Sequence, residues 1–224
     1  MEDAGDCPLT EVPNRSSLLI FDCDGVLVDS EPISHDVLRV LLAEHGVRLT
    51  MEQMYARFMG LTMDRVLQIV AELLGRPVPQ DLLAEHRVRT FRAFAAELAP
   101  VAGVPALLDS LSIPYCVASN GSHEKMQRTL RATGLLARFA GRIFSADDVR
   151  QAKPAPDLFL LAASSMAVRP EDCVVVDDSP LGMRAARAAG MRALGFAAMM
   201  PAGRLRDAGA HEVFGSMDEL PPLL

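Results

Sequence analysis

Leu18, Leu19, Ile20 and Phe21 are apolar in unbroken succession, and the run stops on the carboxylate of Asp22. A strand with one wet face alternates apolar and polar side chains. A short run without alternation therefore marks a strand buried on both faces, as in a parallel sheet covered by helices. Five further runs repeat the pattern at 113–119, 142–146, 173–178, 192–197 and 211–214. Between them lie stretches with helical start and stop signals. Residues 122–134 begin at a capping Ser122 and stop at Gly134, and 154–168 open on a proline. Residues 179–190 run from Ser179-Pro180 to Gly190. Strand and helix alternate, so 17–30 and 99–224 predict an α/β core, a Rossmann-like parallel sheet with helices on both faces.

Residues 31–98 interrupt the alternation. Their apolar residues recur at helical spacing over about four segments, with no convincing strand, which predicts an all-helical domain inserted directly after the first strand. The edges, 29–32 and 98–104, read as hinges. Residues 1–16 carry neither a basic start nor an apolar core segment, so they read as a loose acidic arm and not as a signal peptide.

Half of the 224 residues are apolar, enough for one large domain or a core with an accessory domain. The net charge of −7 argues against nucleic acid or an anionic membrane as partner, and no apolar stretch is long enough to span a bilayer. Cys7, Cys23, Cys116 and Cys173 are scattered without metal or disulfide spacing, which suits a reducing cytoplasm. A monomer is expected, with a homodimer as the alternative. The basic residues are lopsided: 20 arginines accompany only two lysines, Lys125 and Lys153.

Chemistry concentrates where the runs end. The first closes on Asp22-Cys23-Asp24-Gly25, the second on Ser119-Asn120-Gly121, and the fourth on Asp177-Asp178-Ser179-Pro180; Lys153-Pro154 follows the third. Ligands of an open parallel sheet bind beyond these carboxyl ends. A buried carboxylate without a partner is costly, so Asp22, Asp24 and Asp29 within one short segment need an explanation. A hard divalent cation supplies it: Asp22 and Asp178, from neighbouring strands, suit Mg²⁺ with its oxygen ligands. Ser119, the backbone N–H groups around Asn120 and Gly121, and the Lys153 ammonium suit the oxygens of a transferring phosphoryl group. Gly25 lets the chain turn away tightly.

The ordered set "DCDGVLVDS", "ASNGS", "KPAPDLF" and "VVVDDSPLG" resembles the haloacid dehalogenase-like phosphatase superfamily from about Leu18 to Phe214. The helical insertion after the first motif resembles the cap of its β-phosphoglucomutase and sugar-phosphate phosphatase subgroup. Within that subgroup the core motifs look most like the 6-phosphogluconate phosphatase type. The resemblance implies Mg²⁺-dependent hydrolysis of a small phosphorylated metabolite, a sugar phosphate above all. Asp22 would be the nucleophile, forming an aspartyl-phosphate, and Asp24 the general acid and base. Ser119 and Lys153 would hold the phosphate. Asp178 would ligate Mg²⁺ with Asp22 and the backbone carbonyl of Asp24, with Asp177 supporting or joining that shell. Asp29 and Ser30 would lie at the cap hinge.

Plainer readings stand beside these. Asp177-Asp178 also suits a helix N-terminus, Ser119 and Asn120 also suit a turn, and Lys153 could be a surface lysine. His35, His45, His86, His123 and His211 have no metal spacing, and only His123 falls near a phosphate-binding motif. Met51, Met54, Met59 and Met63 read as cap core or lining, and Arg57 and Arg65 as solvated. Two alternatives in function remain. A hexose-phosphate mutase needs a cap that grips a second phosphate, and 31–98 contain no lysine and place Met63 where the mutase would have an arginine. An inactive module would bind phosphate without turnover. Dehalogenation is disfavoured by the second aspartate, Asp24.

Overall fold

All six apolar runs form strands, and every pairing is parallel. In the computed structural model, which describes residues 16–61 and 63–224, the strands are β1 (Leu18–Phe21), β2 (Tyr115–Ser119), β3 (Ile143–Ser145), β4 (Cys173–Asp177), β5 (Arg192–Phe196) and β6 (Glu212–Phe214). They make one sheet in the order β3-β2-β1-β4-β5-β6. Ile20 of β1 is paired with Cys116 on one side and Val175 on the other.

The unbroken apolar run has a direct cause. Leu19 and Phe21 point into one core cluster and Leu18 and Ile20 into another, on opposite faces of the sheet. Valines 174 and 176 of β4 join the first, while Cys173 and Val175 join the second. Cys116 also packs in the second cluster, where burial pushes its thiol up to about 12; Cys173 is pushed up to about 11. Both behave as small apolar core residues. Cys7, like the rest of 1–15, lies outside the described residues.

Four helices follow β1: α1 (Glu31–Glu44), α2 (Met51–Phe58), α3 (Met63–Leu74) and α4 (Leu82–Glu97). They enclose a third apolar cluster around Leu38, Leu42, Met54, Phe58, Val70 and Leu82. Thr50 starts α2 with a reciprocal cap, accepting from Gln53 N–H at 3.2 Å while Gln53 Oε1 accepts from Thr50 N–H at 3.0 Å. The four methionines divide, with Met51 half-buried at the start of α2. Met54 is core within this cluster, Met59 packs against a sheet cluster, and Met63 is exposed. The chain leaves and re-enters the sheet side by side: Asp29 N–H donates to Ala99 O, Val101 N–H donates to Leu27 O, and Val28 pairs antiparallel with Pro100.

The rest of the chain adds α5 (Val104–Ser110), α6 (His123–Ala132), α7 (Asp157–Ser165), α8 (Pro180–Ala188) and α9 (Ala202–Asp207). Ser122 and Ser179 cap α6 and α8 through their hydroxyls, as their positions predict. Three expectations need correction. The helix expected from residue 154 begins only at Asp157, because 153–156 form a turn at the sheet edge. Part of the stretch read as a hinge, 98–104, already starts α5. Ser16 is not part of a loose arm, since its hydroxyl donates to Leu224 O at 3.2 Å. Among the described residues no helix is long and apolar enough to cross a membrane.

Candidate active site

The strand order sets where a site can form. Successive strands step outward from β1 through β2 to β3, then restart beside β1 at β4 and step the other way. The loops leaving β1 and β4 therefore diverge and open a crevice at their carboxyl ends. Asp22 immediately follows β1, Asp177 ends β4, and Asp178 follows it. Their carboxylate oxygens lie within 4.8 Å of one another.

Two glycines make that convergence possible. Gly25 has φ +73°, and a Cβ there would lie 2.1 Å from Asp178 Oδ2. A Cβ on Gly182 would lie 1.9 Å from Asp177 Cγ. The first was legible in the sequence as a turn. The second was missed, although a glycine inside a helix costs about 1 kcal/mol against alanine and so asks for a reason.

Lys153 reaches the cluster from the loop after β3. Its ammonium donates to Asp22 Oδ1 at 2.7 Å and to Asp177 Oδ2 at 2.8 Å, and it lies 4.7 Å from the centre of the Phe159 ring. Burial alone would depress its pKa, but Asp177 and Asp22 hold it well above the ordinary lysine value. The loop is fixed by Asn120, whose side chain accepts from Lys153 N–H at 2.9 Å and donates to Lys153 O at 3.1 Å. Asn120 thus spends its amide on positioning Lys153, which leaves its backbone as the part that can meet an anion. Asp177 is further held by Ser179, which donates to Oδ1 through both N–H and hydroxyl at 2.9 and 2.7 Å.

One ammonium does not balance three carboxylates. Burial raises the pKa of Asp22 to about 6 despite Lys153, with Asp177 and Asp24 adding to the rise. Burial and the neighbouring Asp177 and Asp22 push Asp178 well above the ordinary range. Such a set of crowded hard oxygens, short of positive charge, fits a divalent cation of the Mg²⁺ kind. Asp22, Asp177 and Asp178 are the side chains that could hold it.

The Asp24 side chain faces elsewhere. Its Oδ2 accepts from Lys125 Nζ at 2.7 Å and its Oδ1 from Ser30 Oγ at 2.7 Å. Burial would raise its pKa, but Lys125 and the two hydrogen bonds more than offset this and hold it below the usual carboxylate value. Only its backbone carbonyl is left to offer a cation. The sequence reading missed both partners. Ser30 was placed only at a hinge, and Lys125 was noticed only for its rarity. Between Asp24 and Lys125 lies the turn after β2: a Cβ on Gly121 would be 3.6 Å from Asp24 Oδ2, Ser119 Oγ and Lys125 Cδ alike. Gly121 N–H donates to the Ser119 hydroxyl at 3.2 Å. Cys23, between the two aspartates, points into the core with its thiol pKa raised by burial. His123 is not drawn into the site. Its ring pairs with Asp148 at 2.8 Å on the surface.

Beyond Asp178 and Ser179, a cavity of about 220 Å³ runs up between the sheet and α1, α3 and α4. Glu31, His35 and His86 line it among apolar residues. Contacts also tie residues 31–98 to the rest of the chain: Arg87 of α4 pairs with Glu124 of α6, and Arg204 of α9 donates to Met59 O at 3.4 Å.

Comparison with known proteins agrees with this arrangement. The chain is 36% identical to the 6-phosphogluconate phosphatase of Escherichia coli K12 over 187 residues, covering 83% of this chain and 84% of that one. It is 32% identical to a fructose-1-phosphate phosphatase of the same organism, covering 80% and 96%. A crystal structure of a conserved haloacid dehalogenase-like protein of unknown function from Agrobacterium tumefaciens superposes with a TM-score of 0.86 at 39% identity, covering 92% and 96%. The profile of the haloacid dehalogenase-like hydrolases matches residues 17–190, and the chain belongs to that family.

Proposed function

We propose that the protein is a Mg²⁺-dependent phosphatase that hydrolyses a small sugar phosphate through an aspartyl-phosphate. The observation that carries this is the bridge Asp22–Lys153–Asp177 beside Asp178, an electron-rich oxygen poised in a crowded, cation-seeking pocket. The named activities of the two enzymes from E. coli share a sugar phosphate and differ in which one. That common class is the substrate assigned here, with 6-phosphogluconate the individual candidate raised by likeness.

In this reading an Asp22 oxygen attacks phosphorus and the bond from phosphorus to the leaving oxygen breaks. Asp24 gives that oxygen a proton, and then takes one from the water that hydrolyses the acyl phosphate. Paired with Lys125, Asp24 is in the carboxylate form that suits the second step. The acid role requires the pair to loosen as substrate enters. Ser119, the backbone of Asn120 and Gly121, and Lys153 hold the phosphoryl oxygens, and Lys153 also offsets repulsion between phosphate and nucleophile. Asp22, Asp178 and the Asp24 carbonyl, with Asp177 in support, would hold the Mg²⁺, which would supply the charge neutralisation that a dianion needs to approach.

Helices α1–α4, set between the paired crossings at 27–30 and 99–101, act in this reading as a cap over residues 17–30 and 99–224. A mutase would have to grip a second phosphate there, and no lysine or arginine lines the cavity among the described residues. That favours hydrolysis. The buried free cysteines at 23, 116 and 173 suit the cytoplasmic setting proposed with it.

The test is turnover of a sugar-phosphate panel with and without Mg²⁺. Wild type releases inorganic phosphate only with the cation, and Asp22→Asn loses at least ~10³-fold in kcat. Turnover that survives chelation or Asp22→Asn would sink the mechanism. Transfer between substrate positions without phosphate release would establish the mutase.

A further inference from the structure

The cavity over Asp178 carries chemistry that the hydrolytic machinery does not use. At about 220 Å³ it is small beside the ~300–1,000 Å³ pockets that take drug-sized ligands, so its occupant is short. Because it opens onto Asp178 and Ser179, the group it receives is the part of the substrate that leaves with the ester oxygen.

Its lining holds a carboxyl, two imidazoles and the Ser34 hydroxyl, which can give or accept a hydrogen bond, and no lysine or arginine. Glu31 presents a carboxyl group. His35 Nδ1 lies 2.8 Å from Glu31 O, and a carbonyl only accepts, so Nδ1 carries a hydrogen; its other neighbour, Glu31 Oε2 at 3.4 Å, is an acceptor too. His86 Nε2 lies 3.1 Å from Ser34 O, which by the same logic makes Nδ1 its acceptor. Burial lowers the pKa of His86 below the ordinary imidazole value, so it stays neutral at pH 7. The two cations near the rim are engaged: Lys125 is on Asp24 and Arg204 on Met59 O. A hydroxyl donates to such acceptors. An anion entering here is repelled by Glu31 or must bring a proton onto it, and either outcome weakens binding.

Resting on the phosphatase reading above, the geometry points to a leaving group that is a short, uncharged polyol, with Glu31 as the residue that rejects substrates bearing a second anionic group. On this assignment the candidate raised by likeness, 6-phosphogluconate, is disfavoured by its own carboxylate.

A matched pair tests it, because sorbitol 6-phosphate and 6-phosphogluconate differ only in a terminal hydroxymethyl against a carboxylate. Fructose 1,6-bisphosphate adds a second phosphate, and p-nitrophenyl phosphate reports the phosphoryl chemistry alone. In wild type, kcat/KM for sorbitol 6-phosphate exceeds that for 6-phosphogluconate about tenfold or more. Glu31→Gln brings the ratio toward one by improving the anionic substrates, and as an internal ratio it is unaffected by a lower yield of folded protein. A 6-phosphogluconate preference in wild type, or a ratio unmoved by Glu31→Gln, would overturn the assignment while turnover of p-nitrophenyl phosphate keeps the phosphatase reading intact. Failure of all four substrates with Mg²⁺ takes down both.

Discussion

Lys125 and Ser30 donate to different oxygens of Asp24, which fixes the plane of that carboxylate as well as its charge. Replacing Lys125 by Met keeps the side-chain length and removes the donor. We expect kcat to fall about 10- to 100-fold, at or below the low end of general acid–base contributions because Asp24 itself stays in place, while the Mg²⁺ dependence stays put. Combined with Asp24→Asn the losses should overlap, since both act on one group; additive losses would refute the coupling. Gly182 makes a different demand. In Gly182→Ala the new methyl would lie on the Asp177 carboxylate, so Asp177 must shift off Lys153. Urea denaturation should show a loss of about 1–3 kcal/mol, with weakened Mg²⁺ activation beside it.

Among the elements, α2 offers the cleanest handle, because its capping box sits on the surface away from the carboxylates. Thr50→Ala should cost about 1 kcal/mol, read as faster amide exchange in α2, and leave kcat unchanged. The strands were legible in the sequence because each is apolar on both faces, a pattern that two covering layers impose. Helices α5 and α9 were not, since at 7 and 6 residues they are too short for a helical period to emerge. The order β3-β2-β1-β4-β5-β6 is likewise silent in composition, because parallel strands of similar valine and leucine content do not name their neighbours. The same limit applies within the site. The four motifs announced Asp22, Asp24 and Asp178 by their places at strand ends and Lys153 by its place in the loop after the third strand, but the contact from Lys125 to Asp24 joins residues 101 positions apart. Only the rarity of lysine hinted at it.

For the whole molecule, the decisive quantity is charge in the crevice. A cation needs Asp22 as a carboxylate, and burial has raised that group to a pKa of about 6. An acid with a raised pKa takes up its proton as the pH falls through that value. Mg²⁺ affinity should therefore weaken below about pH 6, and binding near that pH should release protons. Isothermal titration from pH 8 to pH 5 in buffers of different ionisation enthalpy measures both; a constant affinity across that range would contradict the charge accounting. The two-lysine composition has a practical consequence at this scale. Every lysine in the chain sits on an aspartate of the site, Lys153 with 3% of its side chain exposed and Lys125 with 33%. Apart from the α-amino group, an amine-selective reagent finds nothing else to modify among 20 arginines. Acylation of Lys125, followed by mass spectrometry, becomes a label-based readout of whether the mouth of the crevice is open, shut or filled.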